Sequence, residues 1–221
     1  MSVSGGPSIV TSGLVLDLDA ANPKSYPGSG TTWNDLSGNR NTGTLGSQTY
    51  NSANGTLTFS GTQRADTTTT FTITEGTFLA WIKRNGAQTD YTGILFSRAG
   101  AATGMDFTTS HNLGYHWNDT FSTYAWISGL IIPDSVWCMV AITVNSTTGT
   151  AYLCQSSGIT TAVNTVAHSS VSVFKLTVGQ DTASSSRCFI GDIGPVMFYN
   201  RALTANEITQ NFNAHRGRYG L

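Results

Sequence analysis

Short apolar runs separated by polar, glycine-rich stretches recur along the whole chain. Residues 14–19 (Leu-Val-Leu-Asp-Leu-Asp) alternate strictly and place Leu14, Leu16 and Leu18 on one face of a strand. Further runs at 56–60, 71–74, 77–83, 93–97, 113–117, 136–144, 150–155, 175–178 and 189–199 are rich in Val, Ile, Thr and aromatic residues. Turn formers bound each run, and the spacing predicts an all-β, antiparallel sandwich in one domain. The runs at 137–144 and 150–155 flank Asn145-Ser146-Thr147-Thr148-Gly149, a hairpin with a five-residue turn. A symmetric turn pairs residue 140 with 154 and leaves Cys138 one diagonal step from Cys154 on the same face. Residues 22–46 read as a long ordered loop, and residues 1–13 as an extended arm that gains order against a partner.

The pattern changes period only near the C-terminus. Thr204-Ala205-Asn206-Glu207 is a capping box, Leu203 and Ile208 occupy the two staple positions, and Ile208 and Phe212 share a face four residues apart. These signals predict a helix over about 205–213. In the closing run, Gly191 and Gly194 allow a bulge or a close backbone approach and Pro195 suggests an edge or bulge position, with Val196 and Phe198 on one side and Met197 and Tyr199 on the other.

Composition narrows the function. Charged residues make up only 10% of the 221, whereas the sequence holds 24 Ser and 34 Thr. A net charge of −1 supplies no basic field for nucleic acid, and no 18-residue apolar run marks a membrane span. The opening Met1-Ser2-Val3-Ser4-Gly5-Gly6-Pro7 has neither a basic nor an apolar region, so no cleaved signal is expected. Cys138, Cys154 and Cys188 are too few and too scattered for a disulfide scaffold or a zinc cage; at most one bridge could form, and Cys138 and Cys154 read as reduced, half-buried residues rather than a bridge.

Three segments carry a family resemblance: 13–22 (GLVLDLDAAN), 33–45 (WNDLSGNRNTGTL) and 189–208 (FIGDIGPVMFYNRALTANEI). Together they resemble the laminin-G-like branch of the concanavalin A-like lectin/glucanase superfamily, over about residues 13–215. The resemblance implies a jelly-roll sandwich of two antiparallel sheets, six or seven strands each, with one short C-terminal helix. The domain then covers 14–221. Free-standing domains with this ending, and with an opening in the style of 18–33 (LDAANPKSYPGSGTTW), resemble structural proteins of tailed bacteriophages. A virion location is therefore expected, with partners among virion proteins, copies of the chain itself and host surface glycans.

Glucanases of the superfamily use paired glutamates on one strand, but this chain has only Glu75 and Glu207, and Glu207 is committed to a cap. Asp17 and Asp19 share a strand face without a third acid nearby. His111 and His116 point to opposite faces, and neither a nucleophile elbow nor a phosphate loop occurs. The expectation is a non-enzymatic protein.

The family often binds Ca²⁺ between a D-x-S-G-N-x-N-x-G loop and a closing-strand carboxylate. Asp35, Asn39 and Asn41 match the loop; Gly194 stands where the family often has Asp, leaving Asp192 to substitute. The alternative is that Asp35 and Asn39 are turn formers satisfying their own backbone. Sugar binding needs exposed aromatic faces beside polar groups. The segment 111–126 offers Tyr115 and Trp117 on one face and Tyr124 and Trp126 on another, either as a stacking surface or as core and interface.

Overall fold

The structure is a computed structural model that describes residues 7–221. In chain order the strands are β1 (Leu14–Leu18), β2 (Thr32–Trp33), β3 (Gly43–Leu45), β4 (Thr49–Asn51), β5 (Thr56–Ser60), β6 (Ala65–Thr67), β7 (Phe71–Ile73) and β8 (Gly76–Arg84). There follow β9 (Gly93–Gly100), β10 (Thr103–Phe107), β11 (Leu113–His116), β12 (Cys138–Val144), β13 (Gly149–Gln155), β14 (Gly158–Asn164), β15 (Val171–Val178) and β16 (Ile190–Tyr199). A single helical turn, α1 (Phe121–Tyr124), follows β11, and α2 (Ala205–His215) follows β16.

These strands form two eight-stranded sheets, each wholly antiparallel in its ladders. The first runs β14-β13-β12-β8-β16-β5-β4, with β1 also on β16; the second runs β11-β10-β9-β15-β6-β3-β2, with β7 also on β15. The jelly-roll sandwich is as expected, with more strands per sheet. The segment read as one loop, 22–46, contributes β2 and β3.

Alternation along the long strands sorts side chains into two apolar layers. Val140, Ile142, Phe78, Ala80, Val196 and Phe198 face the second sheet, where they meet Leu95, Met105, Phe107 and Leu113. Leu79, Trp81, Met139, Ala141, Met197 and Tyr199 face outward and are covered by Ile208 and Phe212 of α2. Thr204 and Glu207 close the capping box, and Trp81 stacks on Phe212 with centroids 5.4 Å apart. Pro195 falls within the irregular register between Ile193 and Val196, where its missing N–H leaves no ladder bond unmade.

Three local expectations are corrected. A bulge between Leu14 and Leu16 turns Leu14 outward, so Leu16 and Leu18 alone of that trio enter the inner core. In the β12–β13 hairpin Gly149 already pairs with Val144, so Met139 rather than Val140 opposes Cys154. This one-residue slip puts Cys138 in the inner layer and Cys154 in the outer one, and all three cysteines are buried and unbridged. The described part of the N-terminal arm docks on its own chain: Val10 N–H donates to Asn211 Oδ1 at 2.8 Å, and the Tyr199 hydroxyl donates to the Val10 carbonyl at 3.0 Å. Residues 1–6 lie outside the described residues.

Candidate functional site

The calcium candidates do not converge. Asp35 Oδ1 accepts from the amides of Asp17 and Ser37, and Oδ2 accepts from the Ser37 hydroxyl and the Asn41 amide, at 2.7 to 2.9 Å. Its lone pairs are thus spent on the chain's own donors. The Asn39 and Asn41 side-chain amides donate to carbonyls of β1, at Leu14 and Val15. Asp192 accepts from the Thr58 hydroxyl at 2.6 Å and sits five residues along β16 from the partner of Asp17, roughly 16 Å of strand. A divalent ion needs carboxylate and carbonyl oxygens gathered in one cage. The loop is instead a hydrogen-bonded strap across β1, the turn-former alternative. Gly194, where an acid is often found, has no room for one: a Cβ there would collide with the Tyr219 hydroxyl.

The four aromatic candidates divide. Tyr115 and Trp117 do share a face, but that face is the inner core, where both rings are at most 1% exposed. Each polar tip is tied down: the Tyr115 hydroxyl meets His168 Nε2 at 2.9 Å and accepts from Asn164 at 3.1 Å, and Trp117 Nε1 donates to the Ser169 carbonyl at 2.6 Å. Burial lifts the Tyr115 phenol to about 12, despite the opposing hydrogen bond from Asn164. Neither ring can stack on a sugar. Tyr124 and Trp126 are half-buried: Tyr124 stacks on the His116 ring at 5.2 Å, and Trp126 packs edge-on against Tyr115 at 5.9 Å.

The exposed ring in this segment is Phe121, 71% accessible and set edge-on to Tyr124 at 5.5 Å. Its placement follows from a tight turn. Asn118 and Asp119 both have positive φ, 53° and 52°, and the Thr120 amide donates to the Trp117 carbonyl at 3.1 Å. Asn and Asp tolerate this left-handed geometry because their side chains bond locally. The turn carries the chain from β11 into α1, and its Asn118 and Asp119, three and two residues before Phe121, line an open cleft of about 320 Å³ together with Arg98, Gly100, Ala101 and Ala102.

The polar rim of this cleft is held rigidly. Arg98 grips Asp181 with Nε to Oδ1 at 2.7 Å and Nη2 to Oδ2 at 2.9 Å, and turns Nη1 toward Asp119 at 3.3 Å. Arg187 adds a 2.7 Å bond to the same Asp181 carboxylate. Burial pushes Asp181 up, but the Arg98 and Arg187 bonds outweigh it and hold the carboxyl below its usual range. Behind them, His116 Nδ1 lies 2.7 Å from Asp106 Oδ2 in a dry layer, where burial raises the Asp106 carboxyl against the pull of the histidine. Asp119, with its side chain 60% exposed, is the accessible acid on the rim. A second cleft of about 340 Å³ lies near Thr44, Gln63, Arg64 and Asp66. Among the described residues no group of three or more His, Cys, Asp or Glu side chains could hold a metal.

Sequence reasoning passed over Phe121 and Arg98 as site residues. The available signal was the Asn118-Asp119 pair just before Phe121, a turn signature ending a strand.

Comparison with solved structures shows the same fold at low identity. The chain is similar to Trypanosoma rangeli sialidase in complex with sialic acid (TM-score 0.64, 15% identity), over 93% of this chain and 33% of that one. The chain thus spans about a third of that enzyme's length. It is similar to domain 4 of AbnA, a GH43 extracellular arabinanase from Geobacillus stearothermophilus, in complex with arabinotriose (TM-score 0.61, 15% identity), over 90% of this chain and 97% of that domain. It is also similar to the binding domain of botulinum neurotoxin serotype D (TM-score 0.59, 12% identity), over 94% of this chain and 52% of that one. No curated protein matches by sequence. The Laminin_G_3 family model matches residues 51–209, and with that match and its two-sheet jelly roll the chain belongs to the concanavalin A-like lectin/glucanases superfamily.

Proposed function

We propose that this chain is a non-enzymatic, lectin-like domain that binds a neutral glycan in the Arg98–Asn118–Asp119 cleft, with Phe121 as the stacking face. The observation that carries the reading is an exposed aromatic ring two residues along the chain from Asp119, which lines a polar cleft. Sugars present apolar C–H faces to rings and hydroxyls to fixed donors and acceptors. Arg98 and Asn118 supply donors, and Asp119 accepts. The two arginines, Arg98 and Arg187, are balanced by Asp181 and Asp119, so the rim has no surplus positive charge to draw an acidic sugar.

The carboxylates support a binding rather than a hydrolytic role. The Glu207 carboxylate is fork-bonded by Arg201 and capped by Thr204, which hold it down to about 2. Glu75 lies at the same end, within 3.5 Å of the Ala202 amide. The paired-carboxyl route to glycoside hydrolysis needs two carboxyls flanking one bond, whereas Asp119 is the one acid lining the cleft, and Asp181 behind it is buried and bound to two guanidinium groups. The virion of a tailed bacteriophage is the setting we assign, on the likeness of the opening 18–33 and of the ending 199–207 to such structural proteins.

A glycan array probed with the chain tests the reading. Neutral glycans should be retained over sialylated ones, with signal lost in Phe121→Ala and Asp119→Ala. A well-folded chain that binds nothing, or binds equally in both variants, contradicts it.

A further inference from the structure

A different surface, on the other sheet, makes a second statement about partners. β14 is the terminal strand of the first sheet and pairs on one side only, with β13, in unbroken register from Gly149↔Asn164 to Gln155↔Gly158. Exposed edges of this kind are normally guarded by lysine, proline, a bulge or a covering loop. β14 (Gly-Ile-Thr-Thr-Ala-Val-Asn) carries no lysine, proline or bulge, and Val163 stands 55% exposed on it. The lack of guards extends well beyond the strand. No Asp, Glu, Lys or Arg occurs anywhere from 135 to 174, a stretch that contains β12, β13 and β14.

We infer that β14 is a self-association edge, pairing antiparallel with β14 of a second copy about a two-fold axis at Thr161. The strand is self-complementary in this register. Thr161 meets Thr161, Thr160 meets Ala162, and Ile159 meets Val163 on both sides of the axis. Ile159 already packs on the outer apolar layer, so the exposed Val163 of each copy gains an apolar cross-strand partner on that face.

Hydrogen bonding agrees. The hairpin closes over Ser156-Ser157 on the Gln155↔Gly158 pair, and bonding then alternates along the strand. The N–H and C=O groups of Ile159, Thr161 and Val163 therefore point away from β13. Pairing these residues gives two bonds at each of three positions, about six in all. An uncharged edge brings no like-charge repulsion when two copies meet. A second copy is thus the occupant favoured by the strand's own symmetry, and the contact is isologous and closed. Seven residues of edge make a small contact beside the roughly 1,000 Å² at which specific interfaces begin, so dissociation in the micromolar range is expected.

Sedimentation velocity of the full chain from about 1 to 500 µM tests this against the micromolar expectation. A concentration-dependent dimer should appear, and Val163→Lys should raise its dissociation constant at least about tenfold, a 1.4 kcal/mol effect. Because Val163 is exposed, circular dichroism and melting temperature should not change. Thr161→Cys should cross-link rapidly under mild oxidation, since the native thiols are buried. Phe174→Cys, exposed on the second sheet, is the control and should not. A monomer at every concentration overturns the inference. So does a dimer indifferent to Val163→Lys, or one cross-linked equally through Phe174→Cys. None of these results depends on whether the chain binds a glycan.

Discussion

Replacing Trp117 with alanine separates core from binding surface. The indole is 1% exposed, packs edge-on against His168 with centroids 5.8 Å apart, and donates from Nε1 to Ser169 at 2.6 Å. Truncating a buried Trp costs about 3–5 kcal/mol in lost transfer energy and cavity. Losing the indole hydrogen bond and stranding the Ser169 carbonyl adds about 1 kcal/mol. A total near 5 kcal/mol is a large part of the roughly 5–15 kcal/mol that holds a domain together. Phe121→Ala removes a ring that is 71% exposed, and surface changes of this kind stay within about 0.5 kcal/mol. Guanidinium unfolding followed by circular dichroism reads both, and Trp117→Phe, a milder truncation, keeps the comparison measurable should the alanine variant not fold. The expected result is a large drop in midpoint at 117 and none at 121, with glycan binding lost in the reverse pattern. A Trp117→Ala variant within about 1 kcal/mol of the parent would refute the burial argument and return the Tyr115–Trp117 face to candidacy.

Burial, then the nearby Asp19 and Asp35, raise Asp17 to about 7, Asp35 being a third acid that the sequence did not place beside the pair; the folded state therefore holds a proton at Asp17 that the unfolded state releases near 4. Its contribution to stability is therefore lost as pH rises from about 4 to 7. Asp17→Asn should flatten that slope and raise the melting temperature at pH 8 relative to the parent; an unchanged slope contradicts the assignment. Gly194→Asp, which restores the acid often found in the family, should destabilise the fold by expelling Tyr219 from its stack between Trp81 and Trp137. Added Ca²⁺ should not rescue its melting temperature. All three cysteines are buried, with the Cys154 thiol pushed up to about 12 by burial. A thiol reagent at pH 8 should therefore label none in the native chain and three in denaturant.

How much of this was legible in the sequence differs by element. The C-terminal helix was fully legible, because its capping box and staple are local signals that tertiary packing had only to accept. The alternation of β16 was legible for the same reason. Strands such as β2, β3 and β6 are two or three residues long, too short to show a period, and they exist through pairing with distant partners. The hairpin turn was misread by one residue, because Gly149 suits a turn as well as a strand end, and that slip reversed the relation of Cys138 to Cys154.

The site was less legible. Alternation places Tyr115 and Trp117 on a common face but does not say which face is dry, since large aromatics suit a core and a sugar platform equally. That is decided by the sheet stacked above them. Phe121 was hidden because its exposure comes from the Asn118-Asp119 turn, and Arg98 because its partners lie 83 and 21 residues away. The loop Asp35–Asn39–Asn41 was read by its residue types, but carboxylate and amide oxygens serve a strap as readily as an ion, and only the donors they meet tell the two apart.

The central claim is that a sugar occupies the cleft beside Phe121, and amide chemical-shift mapping during titration with a neutral oligosaccharide tests it most directly. Saturable shifts should cluster at Arg98, Gly100, Ala102, Asn118, Asp119 and Phe121 and should vanish in Phe121→Ala. Shifts gathered instead around Asp35–Asn41, around Thr44–Asp66, or nowhere on the folded chain would contradict it.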